Sequence, residues 1–351
     1  MNDGEAITRR KDQHLDIALR LRASQAANPF DDISLEHCAL PELDLDEVDL
    51  STRFLDRELA LPFLIGSMTG GPHRGAVINA NLATAAEALR IPFAVGSQRV
   101  ALQGGGASGL DLDLRRHAPT TPIWANLGAA QLVHDFGVDE ARRAVDAIGA
   151  DALIIHLNPL QEAVQSEGDR NWRGVLPALT RLVEGLGRPV VVKEVGSGVS
   201  GRVAARLRDI GVAAIDVAGR GGTAWAAIEA ERSGSEHDRR VAEPFADWGI
   251  PTPVALAQVR AECPDLPLIA SGGVRDGLDA AKALALGADL VGQAGAVLAA
   301  ALVSPEAVIE HFTVLAQQLR IACFCTGSQD LAALRSVPMA AEPRALPLRH
   351  L

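Results

Sequence analysis

The stretch Ile269–Gly295, IASGGVRDGLDAAKALALGADLVGQAG, decides how the rest of the chain is read. It opens on a short apolar strand and passes through a glycine-rich turn into an Ala/Leu-rich helix. A second strand and a second turn, at Ala294-Gly295, complete it. This is one strand–helix unit and the strand of the next, with glycines where both strands run out into loops. Moving outward, the same unit recurs. Strands are expected at Leu61–Ile65, Phe93–Gly96, Ile123–Asn126, Ala152–His156, Val190–Lys193, Ala214–Val217, Leu266–Ala270 and Leu290–Gly292. The intervening segments Val77–Leu89, Leu176–Leu186 and Gly277–Leu286 have helical composition and spacing. Strands repeat at intervals of roughly 25–35 residues, the length of a strand plus its crossover helix. Eight such units predict an α/β fold, a closed (β/α)8 TIM barrel and not an open doubly wound sheet.

Three segments fall outside the repeat. Residues 1–50 form an N-terminal extension, residues 233–249 a polar insertion after the sixth strand, and Gln103–Asp111 a Gly-rich stretch. Each is a candidate lid, because loops at one rim of such barrels cover the site. The expected division is an extension at 1–50 contributing to the substrate site, a barrel at 51–340 and a tail at 341–351.

Composition bounds the partners. With 351 residues, 48% of them hydrophobic, the chain can bury a large core without disulfides. A formal net charge of −11 disfavours nonspecific binding to nucleic acid or anionic membrane. Tyr is absent and aromatics are scarce, which argues against base-stacking surfaces. Cys38, Cys263, Cys323 and Cys325 fit no zinc or C-x-x-C spacing and are expected as reduced thiols. The polar N-terminus lacks a signal-peptide core, and no apolar run reaches the roughly 18 residues of a membrane span. A soluble, cytoplasmic protein is expected.

Parallel strands deliver all their C-terminal ends to one rim, and there the polar residues collect. The first strand exits into Gly66-Ser67-Met68-Thr69, the second into Ser97-Gln98-Arg99. Asn126, His156 with Asn158, Gln161 and Glu162, and Lys193-Glu194 follow. Gly219–Thr223, Ser271-Gly272-Gly273-Val274 and Ala294-Gly295 complete the rim. Glycines 272 and 273 remove Cβ atoms where backbone N–H groups can close on an anion, and the next helix start adds its dipole. Either turn alone could serve only a tight bend. Two in consecutive units favour a phosphate. Lys193, ending a very apolar strand, can place a cation at the pyrimidine edge of a flavin, or can simply snorkel or pair with Glu194. Ser67, Thr69, Ser97 and Thr223 each read equally as caps or turn residues.

Taken in order, the motifs resemble one family. RRKDQH (9–14), GSMTGG (66–71), VGSQR (95–99), ANLGA (125–129), HLNPLQE (156–162), EGDRNW (167–172), VKEVGSG (192–198), GRGGT (219–223), ASGGVRDG (270–277) and IACFCTGSQDLAAL (321–334) are similar to those of the type 2 isopentenyl diphosphate isomerases. The resemblance runs from Arg9 to about Leu334. R-K-D-x-H and H-L-N-x-x-Q-E are its specific parts. The Ile269–Gly295 region is shared with FMN barrels in general.

The resemblance implies FMN held by Ser67, Met68, Thr69, Ser97, Asn126, Lys193, Thr223, Gly272, Gly273, Val274, Ala294 and Gly295. It implies isopentenyl diphosphate, or its product dimethylallyl diphosphate, bound by Arg10, Lys11, Ser97, Gln98, Arg99, His156, Asn158 and Gln161. Glu162 would hold Mg2+, and Gln161, Lys193 and His156 would serve the chemistry. NADPH would act only as reductant, and the subunits would form a tetramer or octamer. Ala218, Ala224 and Ser197 depart from the expected pattern.

Taken singly, Arg10-Lys11 could be a solvated pair, His156 a structural histidine and Glu162 a surface residue. Two rivals remain. A 2-hydroxy-acid oxidase would need a histidine base, and Gly-Gly-Thr-Ala-Trp after the sixth strand brings none. A silent flavin-binding barrel would not need the H-L-N-x-x-Q-E motif.

Overall fold

The computed structural model describes Ile17 and residues 28–67, 74–104 and 109–339. A hairpin of β1 (Thr52–Phe54) and β2 (Arg57–Leu59) precedes eight parallel strands. These are β3 (Phe63–Ile65), β4 (Phe93–Ala94), β5 (Ile123–Gly128), β6 (Ala152–Leu157), β7 (Val190–Glu194), β8 (Ala214–Asp216), β9 (Leu268–Ser271) and β10 (Leu290–Gln293). They close in sequence order, with β10 beside β3. All eight expected strands are present, with ends moved by up to two residues. The expected helices form as Gly75–Leu89, Val175–Leu186 and Gly277–Ala285. Side-chain caps mark several helix starts: Ser200 accepts from Val203 N, Asp276 from Asp279 N and Ser304 from Ala307 N.

Period-2 alternation sorts every strand into two faces. Val190 and Val192, Leu153 and Ile155, and Leu268 and Ala270 face the helices and join the large outer core. Leu64, Trp124, Ile154, Val191, Ile269 and Leu290 point inward and form a separate core. The hairpin, which the sequence reading did not anticipate, closes this inner core from below. Phe54 and Leu59 join it, and the Phe54 and Trp124 ring centroids lie 5.9 Å apart. Its turn places Leu55 and Asp56 at φ 46° and 61°, the left-handed pair a tight hairpin needs. Neither residue is the glycine that would have signalled it.

Two clasps sit at this lower end. Asp151, just before β6, accepts from Ile123 N at 3.0 Å and Arg115 at 2.8 Å with one oxygen. Its other oxygen takes Arg57 at 2.7 Å. Asp289, just before β10, accepts from Leu268 N at 2.9 Å and Arg260 at 3.0 Å with one oxygen, and Arg335 at 3.1 Å with the other. Each aspartate ends a Gly-Ala-Asp triplet. Burial would raise the Asp151 carboxyl, but the Ile123 N–H and Arg115 outweigh it and hold the group below the ordinary carboxylate range.

The insertion at 233–249 is an ordered helix, Glu236–Ala242, followed by a 3-10 turn, Glu243–Phe245. Ser235 caps it, and Arg239 pairs with Glu236 and Glu243 along its surface. Those i,i+3 and i,i+4 pairs explain why so polar a segment is helical. Of the N-terminal extension, Ile17 is buried beside Ile228. Asn28 and Asp31 bind the β9 turn: Asn28 Nδ2 donates to Gly273 O and Asp31 accepts from Arg275. All four cysteines are free.

Candidate active site

Two residues beyond the apolar inner layer, the same alternation turns Asn126, His156, Lys193, Asp216 and Ser271 into the barrel mouth. The register sets His156 beside Lys193 and Lys193 beside Asp216. Across the other side, Asn126 Nδ2 donates to Ser67 Oγ at 2.8 Å, and Asn126 Oδ1 lies 2.8 Å from His156 Nδ1. A carbonyl oxygen can only accept, so the imidazole carries a proton on Nδ1. Gln98 stands behind this chain. Its Oε1 accepts from Asn126 N and its Nε2 donates to Ala144 O, so its amide braces β5 and does not face the mouth.

The β6 exit forms a second network on the helix Pro159–Val164. Asn158 Nδ2 donates to Glu162 Oε1 at 2.8 Å and to Gln161 Oε1 at 3.2 Å. Gln161 Nε2 donates to Glu229 Oε1 at 3.0 Å, and Arg232 holds the other Glu229 oxygen at 2.7 Å. The second Glu162 oxygen accepts from Asp169 N at 2.7 Å. That bond needs Gly168: a Cβ there would stand 2.0 Å from Glu162 O. Asp169 in turn pairs with Arg99 at 3.0 Å, which brings the β4 and β6 exits together. Two polar atoms at this junction are buried with no protein partner among the described residues, Arg99 Nε and Asn158 Oδ1. One is a donor fit for an oxyanion, the other an oxygen fit for a cation.

Lys193 Nζ donates to Glu194 O at 2.6 Å and lies 3.7 Å from Asp216 Oδ2. Its carboxylate neighbour is therefore Asp216, not Glu194. The Glu194 carboxylate turns the other way and accepts from the N–H groups of Val195, Gly196, Ser197 and Gly198. Burial pushes the Glu194 carboxyl up, against the pull of these donors and of Lys193. Ser197 sits where Gly249 crosses so closely that a Cβ on residue 249 would stand 2.7 Å from Ser197 Cα. The close approach requires the glycine at 249.

At the β9 exit Gly272 and Gly273 adopt φ 93° and 80°. A Cβ on Gly272 would come within 2.2 Å of Gly219 O, so the two backbones pack directly. Gln293 links this turn to the next: its Nε2 donates to Val274 O, and His311 binds its Oε1. The N–H groups of Gly273, Val274 and Gly295 donate to no backbone acceptor among the described residues. Donors left open on two joined turns fit a phosphate. With Lys193 two strands round the mouth from this turn, the residues present fit a flavin mononucleotide.

Ser97, Thr223 and Ala294 lie on this same rim, while Arg10, Lys11, Met68 and Thr69 lie outside the described residues. Asp216, Glu229, Asn28, Gln293 and His311 also support this region, and no motif marks them. Asp216 carried a signal, a lone charge in the apolar run AAIDV. Glu229 carried none, because nothing in a helical sequence shows which acid is buried against Gln161.

The fold and this mouth define an FMN-type barrel, and the family model described as FMN-dependent dehydrogenase matches residues 136–340, more than half the chain. Solved structures of similar shape include a mandelate oxidase variant with a monooxide FMN adduct, at TM-score 0.64 and 19% identity, covering 94% of this chain and 92% of that one. Mandelate oxidase with (S)-2-phenylpropionate gives TM-score 0.61 at 18% identity, over 92% and 89%. At that identity they speak for the fold alone.

Sequence relatives are far closer. An isopentenyl-diphosphate delta-isomerase of Xanthobacter autotrophicus is 62% identical over 96% of this chain and 99% of its own length. Those of Stutzerimonas stutzeri and Synechocystis are 61% and 46% identical over 94% and 95% of this chain, and each is covered over 96% of its own length. The chain belongs to the isopentenyl-diphosphate delta-isomerase family.

Proposed function

We propose that this protein interconverts isopentenyl and dimethylallyl diphosphate, in isoprenoid biosynthesis, with FMN bound in the barrel mouth. The near full-length identity to isomerases of that name carries the reading. The reaction is redox-neutral: one carbon gains a proton and another loses one. When bound, reduced FMN supplies the proton donor and acceptor at its N5 that an unactivated alkene needs.

The chain's own residues bind and orient. Gly272, Gly273, Val274, Ala294 and Gly295 offer backbone donors to the FMN phosphate, with Thr223 beside them. Ser67, Ser97 and Asn126 would line the flavin's other edges, the family resemblance assigns Met68 and Thr69 there too, and Lys193 would stabilise negative charge on its pyrimidine side. Arg99, with Arg10 and Lys11, takes the diphosphate. His156 and Asn158 hold it from the β6 side, and Gln98 steadies the β5 wall behind. Gln161, held by Glu229, would orient the hydrocarbon end of the substrate beside the flavin. Glu162 keeps lone pairs on both oxygens for Mg2+, and Asn158 Oδ1 adds a neutral oxygen; phosphate oxygens and water would complete the shell.

NADPH is assigned as reductant only. A cytoplasmic homo-oligomer, tetramer or octamer, is the expected assembly, supported by the family resemblance. No described helix is long and apolar enough to cross a membrane.

The test is an anaerobic incubation with FMN, Mg2+, NADPH and isopentenyl diphosphate. Dimethylallyl diphosphate should form only when FMN and reductant are both present, at far less than one NADPH per turnover. FMN binding without product would overturn the reading.

A further inference from the structure

Asp216 is a carboxylate buried to 1% exposure inside the barrel mouth. Among the described residues three groups face it, and all are donors. Ser271 Oγ donates to its Oδ1 at 2.6 Å and Ala218 N to the same oxygen at 3.2 Å. The Lys193 ammonium stands 3.7 Å from its Oδ2. A buried carboxylate needs such partners to be tolerated, and here each contact is of that kind.

Its neighbour Glu194 shows the alternative. Four backbone N–H groups surround one oxygen of Glu194, and that acid builds a loop. Asp216 takes a single backbone donor, at Ala218, an L-residue held at φ 37°. Its other oxygen points to Lys193. Among the described residues it is the only carboxylate within ion-pair distance of that ammonium. Ser271 then leads directly into Gly272-Gly273, so Asp216 touches the lysine and the start of the phosphate turn at once.

We propose that Asp216 is a positioning residue that holds Lys193 in place and offsets its charge, and thereby sets how strongly the site prefers reduced over oxidised FMN. This rests on the reading that Lys193 faces the flavin's pyrimidine edge. The ammonium favours the anionic reduced flavin, and the carboxylate behind it subtracts from that effect. Bare Lys193 would raise the potential of the bound flavin; paired with Asp216, it would raise it less.

The test is the midpoint potential of bound FMN, from anaerobic titration against a redox dye. Asp216→Asn keeps an oxygen for Ser271 and Ala218 and removes the charge. The reduced-to-oxidised affinity ratio should rise about tenfold, a shift of ~30 mV to more positive potential for a two-electron couple. Ser271→Ala takes a donor from the carboxylate and leaves more of its charge facing Lys193. It should shift the potential the other way, by about threefold in the ratio, or ~15 mV. It also serves if Asp216→Asn does not fold.

Lys193→Met is the control and should lower the potential. If it does not, the placement of Lys193 beside the flavin fails. If it does, while the Asp216 and Ser271 variants leave the potential unmoved or move it with the wrong sign, the placement stands and the role of Asp216 is overturned.

Discussion

The lower and upper halves of the barrel interior are built by the same strands under the same alternation, yet they obey different rules. Below, Trp124, Ile154, Val191 and Ile269 meet Phe54 from the hairpin in a sealed apolar core. Two residues further along, four of those strands present Asn126, His156, Lys193 and Ser271, and β8 follows Ala214 with Asp216. Every such step exchanges an apolar side chain for one that costs free energy to bury unless a partner is found. The lower layer therefore specifies the fold and the upper layer the chemistry. A barrel can carry both because a rise of only about 6–7 Å, two residues of strand, separates them.

Substitutions at the two levels should give opposite signatures. Trp124→Ala opens a cavity under the barrel and should cost about 3–5 kcal/mol. Urea unfolding would report it, while molecules still folded keep their FMN affinity. Equal loss of FMN binding would show that the layers are not separable.

Above, Lys193→Met combined with Asp216→Asn removes both buried charges and keeps the acceptor for Ser271. Stability should stay level or rise by about 1–4 kcal/mol, as when buried ion pairs give way to apolar packing. Isomerisation should fall more than a hundredfold. A clear loss of stability would mean that the upper layer also holds the fold.

At the lower rim Asp151 gives a pH signature. Its carboxyl is held below the ordinary range in the folded protein, so the folded state binds fewer protons there than the unfolded chain. Its contribution is complete above the ordinary carboxylate range and is lost as the pH falls through the lowered folded value. Asp151→Asn should therefore be less stable than the natural chain at neutral pH, with the gap closing in acid. Thermal melts across that range would show it.

The smallest effect belongs to the upper rim's exterior. Arg220 and Asp247 pair at 2.8 Å with the aspartate almost fully exposed, and Arg220→Ala should change stability by less than ~0.5 kcal/mol. A larger loss would give the insertion at 233–249 a structural role beyond its own helix.

The lower level was largely legible in the sequence, because strands buried on both faces read as apolar runs. All eight show as short apolar runs rich in β-branched residues. The hairpin escaped because Leu55-Asp56 is not a usual turn pair. The insertion escaped because its helix rests on charge pairs and a serine cap, where apolar periodicity has little to show. At the upper level the sequence named which residues reach the rim but not how they divide the work. Gln98 reads like a ligand until its amide is seen bonded to Asn126 and Ala144. Glu229 reads like any surface acid until it is found holding Gln161. Such assignments depend on side-chain direction, which spacing along the chain does not fix.

The two Gly-Ala-Asp clasps precede β6 and β10, which stand four strands apart on an eight-stranded circle. They are matched bond for bond: each aspartate takes the first amide of the preceding strand and one arginine on one oxygen, and a second arginine on the other. In each clasp one arginine also donates to the carbonyl of the triplet's glycine. Each clasp thus lies half-way round the ring of strands from the other. The first closes within residues 57–151 and the second within 260–335, so a cut between β6 and β7 would sever neither. Each half of the barrel base thus carries a fastening of its own, independent of the other.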